Sequence, residues 1–387
     1  MELEIINEHK ENIIQKFSDR FKKNNFIEKK PEKLIPSSDQ TIIFTNSSIV
    51  LFKDILTNKN KDKNDYFVIQ PCLRLKHLKN IASLDFRIPR MSLFKMLGGF
   101  SKKPTDLIFS MCIKFLISDL NIKKKDLKIV CSEKKYNYWN SLSTQHGLTT
   151  EIAEEYEWQF GIEGVYGIGI AFGITGEDNK LKYIGNFVEI YQGKKFLGIE
   201  FGFGLEPLIG RSLLKKTSFH ASSAILIGQK LLKFKPDPAL ADLISILSAM
   251  MSDSNLIKSR RRKSLFLKTI RILSIRMIKQ DVSYDLCILW IKNFMFSFFN
   301  KTNIYHEEIF HNRYLELIGS DKKLANYVKS QNSLFKSNKK NLLKFLALED
   351  YILYLSKIYF KERSEIIIEF KKYESFYTFL KIKKVSL

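Results

Sequence analysis

Alternation of bulky with small or polar residues is sharpest at 198–206, GIEFGFGLE, where Ile199, Phe201 and Phe203 alternate with Glu200, Gly202 and Gly204. A period of two puts the large apolar side chains on one face of a strand. The other face is left with a carboxylate and two glycines, so a flat ligand could lie against its backbone. Glu206-Pro207 follows, and proline suits the first turn of a helix. Upstream, 66–71, 92–97 and 127–131 read as strands, and strand character dominates 158–205, where glycines crowd residues 161–193. Apolar residues at helical spacing predict helices over 5–28 (Ile13, Ile14, Phe17, Phe21), from Pro104 to about 120 (Ile108, Met111, Cys112, Phe115) and near 133–144. Pro31 and Pro36 break the chain ahead of Ile42-Ile43-Phe44, and 54–65 is a charged loop. After Pro207 the pattern turns helical, broken only by Pro236 and Pro238. The boundary is placed there, dividing 1–238, with mixed strands and helices, from an all-helical 239–387.

Composition adds less than pattern does. A chain of 387 residues with 45% hydrophobic content supports two packed domains and argues against disorder. The start is acidic and amphipathic, unlike a signal peptide. The longest nearly apolar run, 287–299, contains Lys292 and is too short to span a bilayer. Cys72, Cys112, Cys131 and Cys287 are scattered, which predicts a reduced, cytoplasmic protein with no metal site. The net charge of +23 suggests a polyanionic partner. Abundant Lys, Ile, Asn and Phe are also what an AT-rich coding sequence produces, so local clustering counts for more than the total. Arg74, near the start of a second strand beside the glycine-bare one, would suit a phosphate, which guanidinium binds bidentately.

Taken in order, these segments resemble the N-terminal half of the alanyl-tRNA synthetases, a class II aminoacyl-tRNA synthetase family. Phe44-Thr45-Asn46 with Phe52-Lys53-Asp54 resembles that family's motif 1, FTNAGM-x-x-FKD. Cys72-Leu73-Arg74 resembles the opening of motif 2, and Phe94 to Ser101 (FKMLGGFS) its close. Tyr136 to Trp139 fits a following Y-x-x-W, and Trp158-Gln159-Phe160-Gly161 is similar to the W-Q-M-G of the amino-acid pocket. Ile184-Gly185-Asn186 stands where the family has I-W-N, and Glu200 to Glu206 where it has D-T-G-M-G-L-E. The match runs collinearly over roughly 17–279.

The resemblance implies an α+β fold, an antiparallel sheet flanked by helices, followed by a helical tRNA-recognition-like domain. It implies ATP with Mg2+ and a small amino acid, alanine in the family, as ligands, and tRNA as acceptor. ATP would be held by Arg74, Phe94, Gly202, Gly204 and Arg211, with Arg74 the catalytic group on the α-phosphate. Trp158, Asn186 and Glu200 would hold the amino acid, Glu200 standing where the family's aspartate receives the α-ammonium. Neither membrane association nor a fixed oligomeric state is implied.

Several positions depart from the family pattern. Pro207 replaces the arginine that closes motif 3, with Arg211 one helical turn later. Residues 164–171 (GVYGIGIA) lack the cysteines and acidic residue of G-P-C-G-P-C-[ST]-E, and the motif 2 loop is shortened to LKHLKNIA with Lys79 in place of a glutamate. No H-x-x-x-H with a later cysteine–histidine pair, the editing signature, occurs after 279. The segment 258–279 carries nine basic residues and no acidic one, with Phe266, Ile270, Leu273 and Met277 on one helical face. It resembles part of the family's acceptor-stem domain, which assigns tRNA contacts to Arg260, Arg261, Arg262, Lys263, Lys268 and Arg271. Arginines there contact phosphate without reading sequence. Three alternatives therefore stand: an active ligase for tRNA, an inactive synthetase relative that binds RNA or protein, and an amino-acid-activating biosynthetic ligase.

Overall fold

The computed structural model describes residues 2–36, 42–57, 63–82, 88–153, 157–176, 180–213, 217–319 and 363–372. The chain opens with helix α1 (Glu2–Lys22), which buries Ile6, Ile13, Phe17 and Phe21. It stops short of the expected residue 28 because Asn25 takes a left-handed conformation, φ 63°, that asparagine tolerates better than most residues. The residues beyond it, Phe26–Glu28, form the edge strand β1 instead. A tight helical turn at Ser48–Phe52 runs into α2 (Lys53–Thr57). Then follow β2 (Asp65–Leu73), β3 (Leu93–Ser101), α3 (Thr105–Lys114), β4 (Leu127–Ser132), α4 (Tyr136–Thr144) and β5 (Thr149–Ala153). The strand-rich stretch resolves into β6 (Glu157–Gln159), β7 (Val165–Thr175), β8 (Leu181–Gln192) and β9 (Lys195–Gly204).

These strands make one nine-stranded sheet in the order β1-β2-β3-β9-β8-β7-β4-β5, with β6 paired to β7. Pairing is antiparallel through the centre and parallel at the two edge pairs, β1–β2 and β4–β5. The α+β sheet with flanking helices is thus as expected. Alternation along β9 sends Ile199, Phe201 and Phe203 into the main core with Phe17, Phe21, Phe67, Leu97, Phe109, Phe172 and Phe187. Phe21 stacks on Phe201 at 4.7 Å between ring centroids. Each such buried ring contributes about 2–3 kcal/mol of transfer free energy.

After β9 come a single helical turn, α5 (Leu205–Leu208), and a wide turn at Ile209–Leu213. Helix α6 (Ser223–Leu232) and α7 (Pro238–Met251) follow, the latter capped by Asp237, whose carboxylate accepts from Ala239 N at 3.0 Å. Every residue from Ala239 to Met251 is buried, so α7 has no solvent face. Asp242, in its second turn, accepts from Ser92 N at 2.8 Å and Ser92 Oγ at 2.6 Å, tying α7 to the foot of β3. The remaining described helices are α8 (Arg260–Lys279), α9 (Tyr284–Phe299), α10 (Glu307–Ile318) and Arg363–Lys371. In α9, Trp290 donates Nε1 to Ala224 O at 2.8 Å, and its ring fills the space beside Gly228. Two compact units divide the chain: residues 1–265 with 286–305, and residues 266–285 with 306–387. No described helix is long and apolar enough to cross a membrane.

Candidate functional site

The face of the sheet opposite the main core carries the candidate site. Cross-strand register sets Val68, Gly98, Gly202, Asn186, Ala171 and Val130 in one row across β2, β3, β9, β8, β7 and β4. Directly opposed residues point to the same side, so the middle of this row is lined by small side chains. The neighbouring rows place Phe100, Glu200 and Val188 on one flank, and Gln70, Met96 and Gly204 on the other. Cys72 pairs with Phe94 one row further on, and Arg74 follows at the end of β2, its amide donating to Ser92 O at 2.8 Å.

Arg74 is solvent-exposed and anchored at two points. Its Nε donates to Asn46 O at 2.8 Å, and its guanidinium carbon lies 4.9 Å from the centroid of the Phe94 ring. Both segments that resemble motifs 1 and 2 therefore meet at this side chain. Glu200 is buried, 9% exposed, and its Oε1 accepts from Ser48 Oγ at 3.3 Å. Burial pushes its pKa up to about 7, against the opposing pull of the Ser48 hydroxyl, the Arg74 charge and the Ile49 amide. Burial likewise holds the Cys72 thiol up at about 12, so it is protonated and unreactive at neutral pH.

The expected bare glycine surface is partly filled. A Cβ on Gly98 would coincide with the Ser48 side chain, and one on Gly202 would meet Met96 Sδ at 3.1 Å. The Pro207 ring lies over Gly204, 2.8 Å from where its Cβ would stand. Gly202 and Asn186 keep partial exposure, so the open part of the face is small and lies at their row. Trp158, partly buried, pairs with Gly167 and packs against the cluster of Ile49, Phe52, Phe160 and Val188 that covers the adjoining sheet. Arg211 lies in the wide turn after α5 and is 3% exposed, buried within the protein. The site thus brings Arg74, Phe94, Glu200, Gly202 and Asn186 onto one face.

Two contributors were not legible beforehand. Ser48 is fully buried against Glu200, and the only sequence signal was a second hydroxyl in FTNSSI. Arg90, just after Pro89 and ahead of β3, is exposed and repels both Arg74 and His77 by charge. With Lys76, these groups make the end of the β2–β3 pair electropositive, which suits a polyphosphate. Among the described residues no group of three or more His, Cys, Asp or Glu side chains could hold a metal. Glu206, the nearest further carboxylate in sequence, is buried and accepts from Lys95 N at 3.1 Å.

The basic helix keeps its predicted polarity, with Phe266, Ile270, Leu273 and Met277 buried. Arg260, Arg261, Lys263 and Arg271 are exposed, while Arg262 and Lys268 are half-buried. Arg276, counted in the basic run, is buried at 2% exposure.

Residues 12–169 match the family model of class II tRNA synthetases (A). The similar curated proteins are alanine–tRNA ligases. That of Wolbachia pipientis wMel is 29% identical over 167 residues, 40% of this chain and 19% of the relative. That of Vesicomyosocius okutanii is 32% identical over 122 residues, 30% of this chain and 14% of the relative. The chain thus spans no more than about a fifth of the length of these relatives. Among solved structures, asparaginyl-tRNA synthetase of Entamoeba histolytica with asparaginyl-adenylate aligns at TM-score 0.38 and 8% identity, covering 57% of this chain and 66% of that one.

Proposed function

We propose that this chain activates a small amino acid with ATP, as alanine–tRNA ligases do, and passes it to tRNA. One observation carries the proposal: an exposed arginine and a buried carboxylate lie on one face of the sheet, with the Gly98–Gly202–Asn186 row between them. The amino acid's ammonium would pair with Glu200, leaving its carboxylate to attack the α-phosphorus of ATP. As that P–O bond forms, the bond to the β-phosphate oxygen breaks and pyrophosphate leaves. Arg74 would stabilise the charge gathering on the α-phosphoryl oxygens, with no covalent bond to the protein. Phe94 offers an apolar ring beside it, and Arg90 a second cation for the outer phosphates. Magnesium would be carried in on those phosphates, since it usually binds through substrate phosphates with few protein ligands. The exposed cations of α8 would hold the tRNA backbone.

A second reading is favoured by Pro207 and Arg211. The proline ring covers Gly204 and the nearest downstream arginine is buried, which suits a relative that keeps the fold and has lost adenylation. A non-reactive sulfamoyl analogue of alanyl-adenylate separates the two. An adenylating site binds it and raises the melting temperature with the logarithm of ligand excess over Kd, and Arg74→Ala reduces the rise. No rise with folded protein supports the binding-only reading. If the analogue binds but tRNA does not, the acceptor is another molecule and the chain is a biosynthetic ligase.

A further inference from the structure

The buried hydroxyl of Ser48 stands within the motif 1 segment, at the place of that motif's glycine, and it touches three strand-face positions at once. Its backbone amide lies 3.4 Å and its Oγ 3.3 Å from Met96 Sδ, and the same Oγ lies 3.3 Å from Glu200 Oε1. A hydroxyl has one proton to give, and a carboxylate is a far stronger acceptor than a thioether. The hydroxyl therefore donates to Glu200 and packs its oxygen against sulfur. The room for it exists because residue 98 is glycine, where any side chain would overlap Ser48. Ile49, next in the helical turn, adds its amide to the same carboxylate.

We infer that Ser48 is a positioning residue for Glu200: it draws Oε1 back against the helical turn at Ser48–Phe52 and so sets how far the carboxylate reaches toward a primary ammonium. Glutamate carries one methylene more than aspartate, and without an anchor its carboxylate has an extra torsion to explore. Ser48, through Oε1, and the Ile49 amide remove that freedom. The titratable groups that act on Glu200 are the Arg74 cation and the Cys72 thiol, neutral over this pH range, both from the β2 side, and among the described residues no acidic group joins them. The amino-acid role of Glu200 belongs to the proposed function, and the inference about Ser48 rests on that reading.

The test separates the two. Stability to urea is measured from pH 5 to 9 for the wild type, Ser48→Ala, Glu200→Gln and the double variant. Loss of the donor raises the midpoint of the Glu200 titration by about one pH unit; the bond at 3.3 Å is long, so several units are not expected. Ser48→Ala has no effect on the pH dependence once residue 200 is Gln. An unchanged midpoint, or the same shift in the Glu200→Gln background, overturns the inference. Should Ser48→Ala fail to fold, Ser48→Cys, a weaker donor of similar size, gives the same comparison. If the wild type activates an amino acid, Ser48→Ala also raises its KM several-fold at pH 7 with kcat little changed. If the wild type activates none, the proposed function fails while the titration still decides Ser48.

Discussion

Glu200 concentrates the tension in this site, because it is a carboxylate kept from water with one cation nearby. Desolvation raises its pKa to about 7 from the ordinary 4.5. The folded chain therefore holds a proton that the unfolded chain releases between those values. The contribution to stability is fully present below about pH 4.5 and is lost as pH rises through 7. Glu200→Gln, neutral throughout, gains on the wild type at pH 8 by up to about 3 kcal/mol and gains nothing at pH 4. Urea unfolding at the two pH values measures this, and a gain that is equal at both would contradict it. Asp242 adds a second step of the same sign, its carboxyl pushed up to about 6 by burial, so the variant removes only the upper part of the pH dependence. An ammonium arriving at Glu200 would supply the countercharge that burial withholds, and substrate binding should be tighter above pH 7 than below 6.

At the scale of elements, helix α7 is held to the foot of β3 by both oxygens of Asp242 on Ser92. Asp242→Ala leaves the Ser92 amide and hydroxyl buried without their acceptor, at a cost of about 1–3 kcal/mol. Chemical denaturation checks this; a change under 0.5 kcal/mol would contradict it. The elements themselves were largely legible. Alternation at 199–204 marked β9, helical spacing of Phe17 and Phe21 marked α1, and Pro104 marked the start of α3. What escaped was non-local. β1 is a strand only because Phe26–Glu28 meets the register of β2, forty residues on, and its own residues read as the end of a helix. Ser48 escaped for the same reason: its partners Met96 and Glu200 are 48 and 152 positions away. Arg74, Phe94, Asn186 and Glu200 were legible because a motif order carried them. That Met96, Ser48 and Pro207 would fill the glycine face was not, since packing depends on all of them together.

For the molecule as a whole, a net charge of +23 becomes informative where cations are exposed together on α8. Arg260, Arg261, Lys263 and Arg271 would bind RNA through phosphate, so affinity should fall steeply with salt and vary little with sequence. Replacing all four with alanine should lower the dependence of log K on log salt by about 4 units, close to one per lost contact. Filter binding of a tRNA and of an unrelated RNA hairpin, from 50 to 300 mM salt, checks both points. An unchanged slope would place RNA elsewhere or nowhere. The match to class II tRNA synthetases over 12–169 then matters chiefly for whether the sheet face performs chemistry. The measurement that decides this is amino-acid-dependent exchange of pyrophosphate into ATP at pH 7.5, across glycine, alanine, serine and the larger amino acids. The expected result is exchange with one small amino acid, reduced on the order of a hundredfold or more by Arg74→Ala. No exchange with any amino acid, from protein shown to be folded, would contradict the activity proposed for this site.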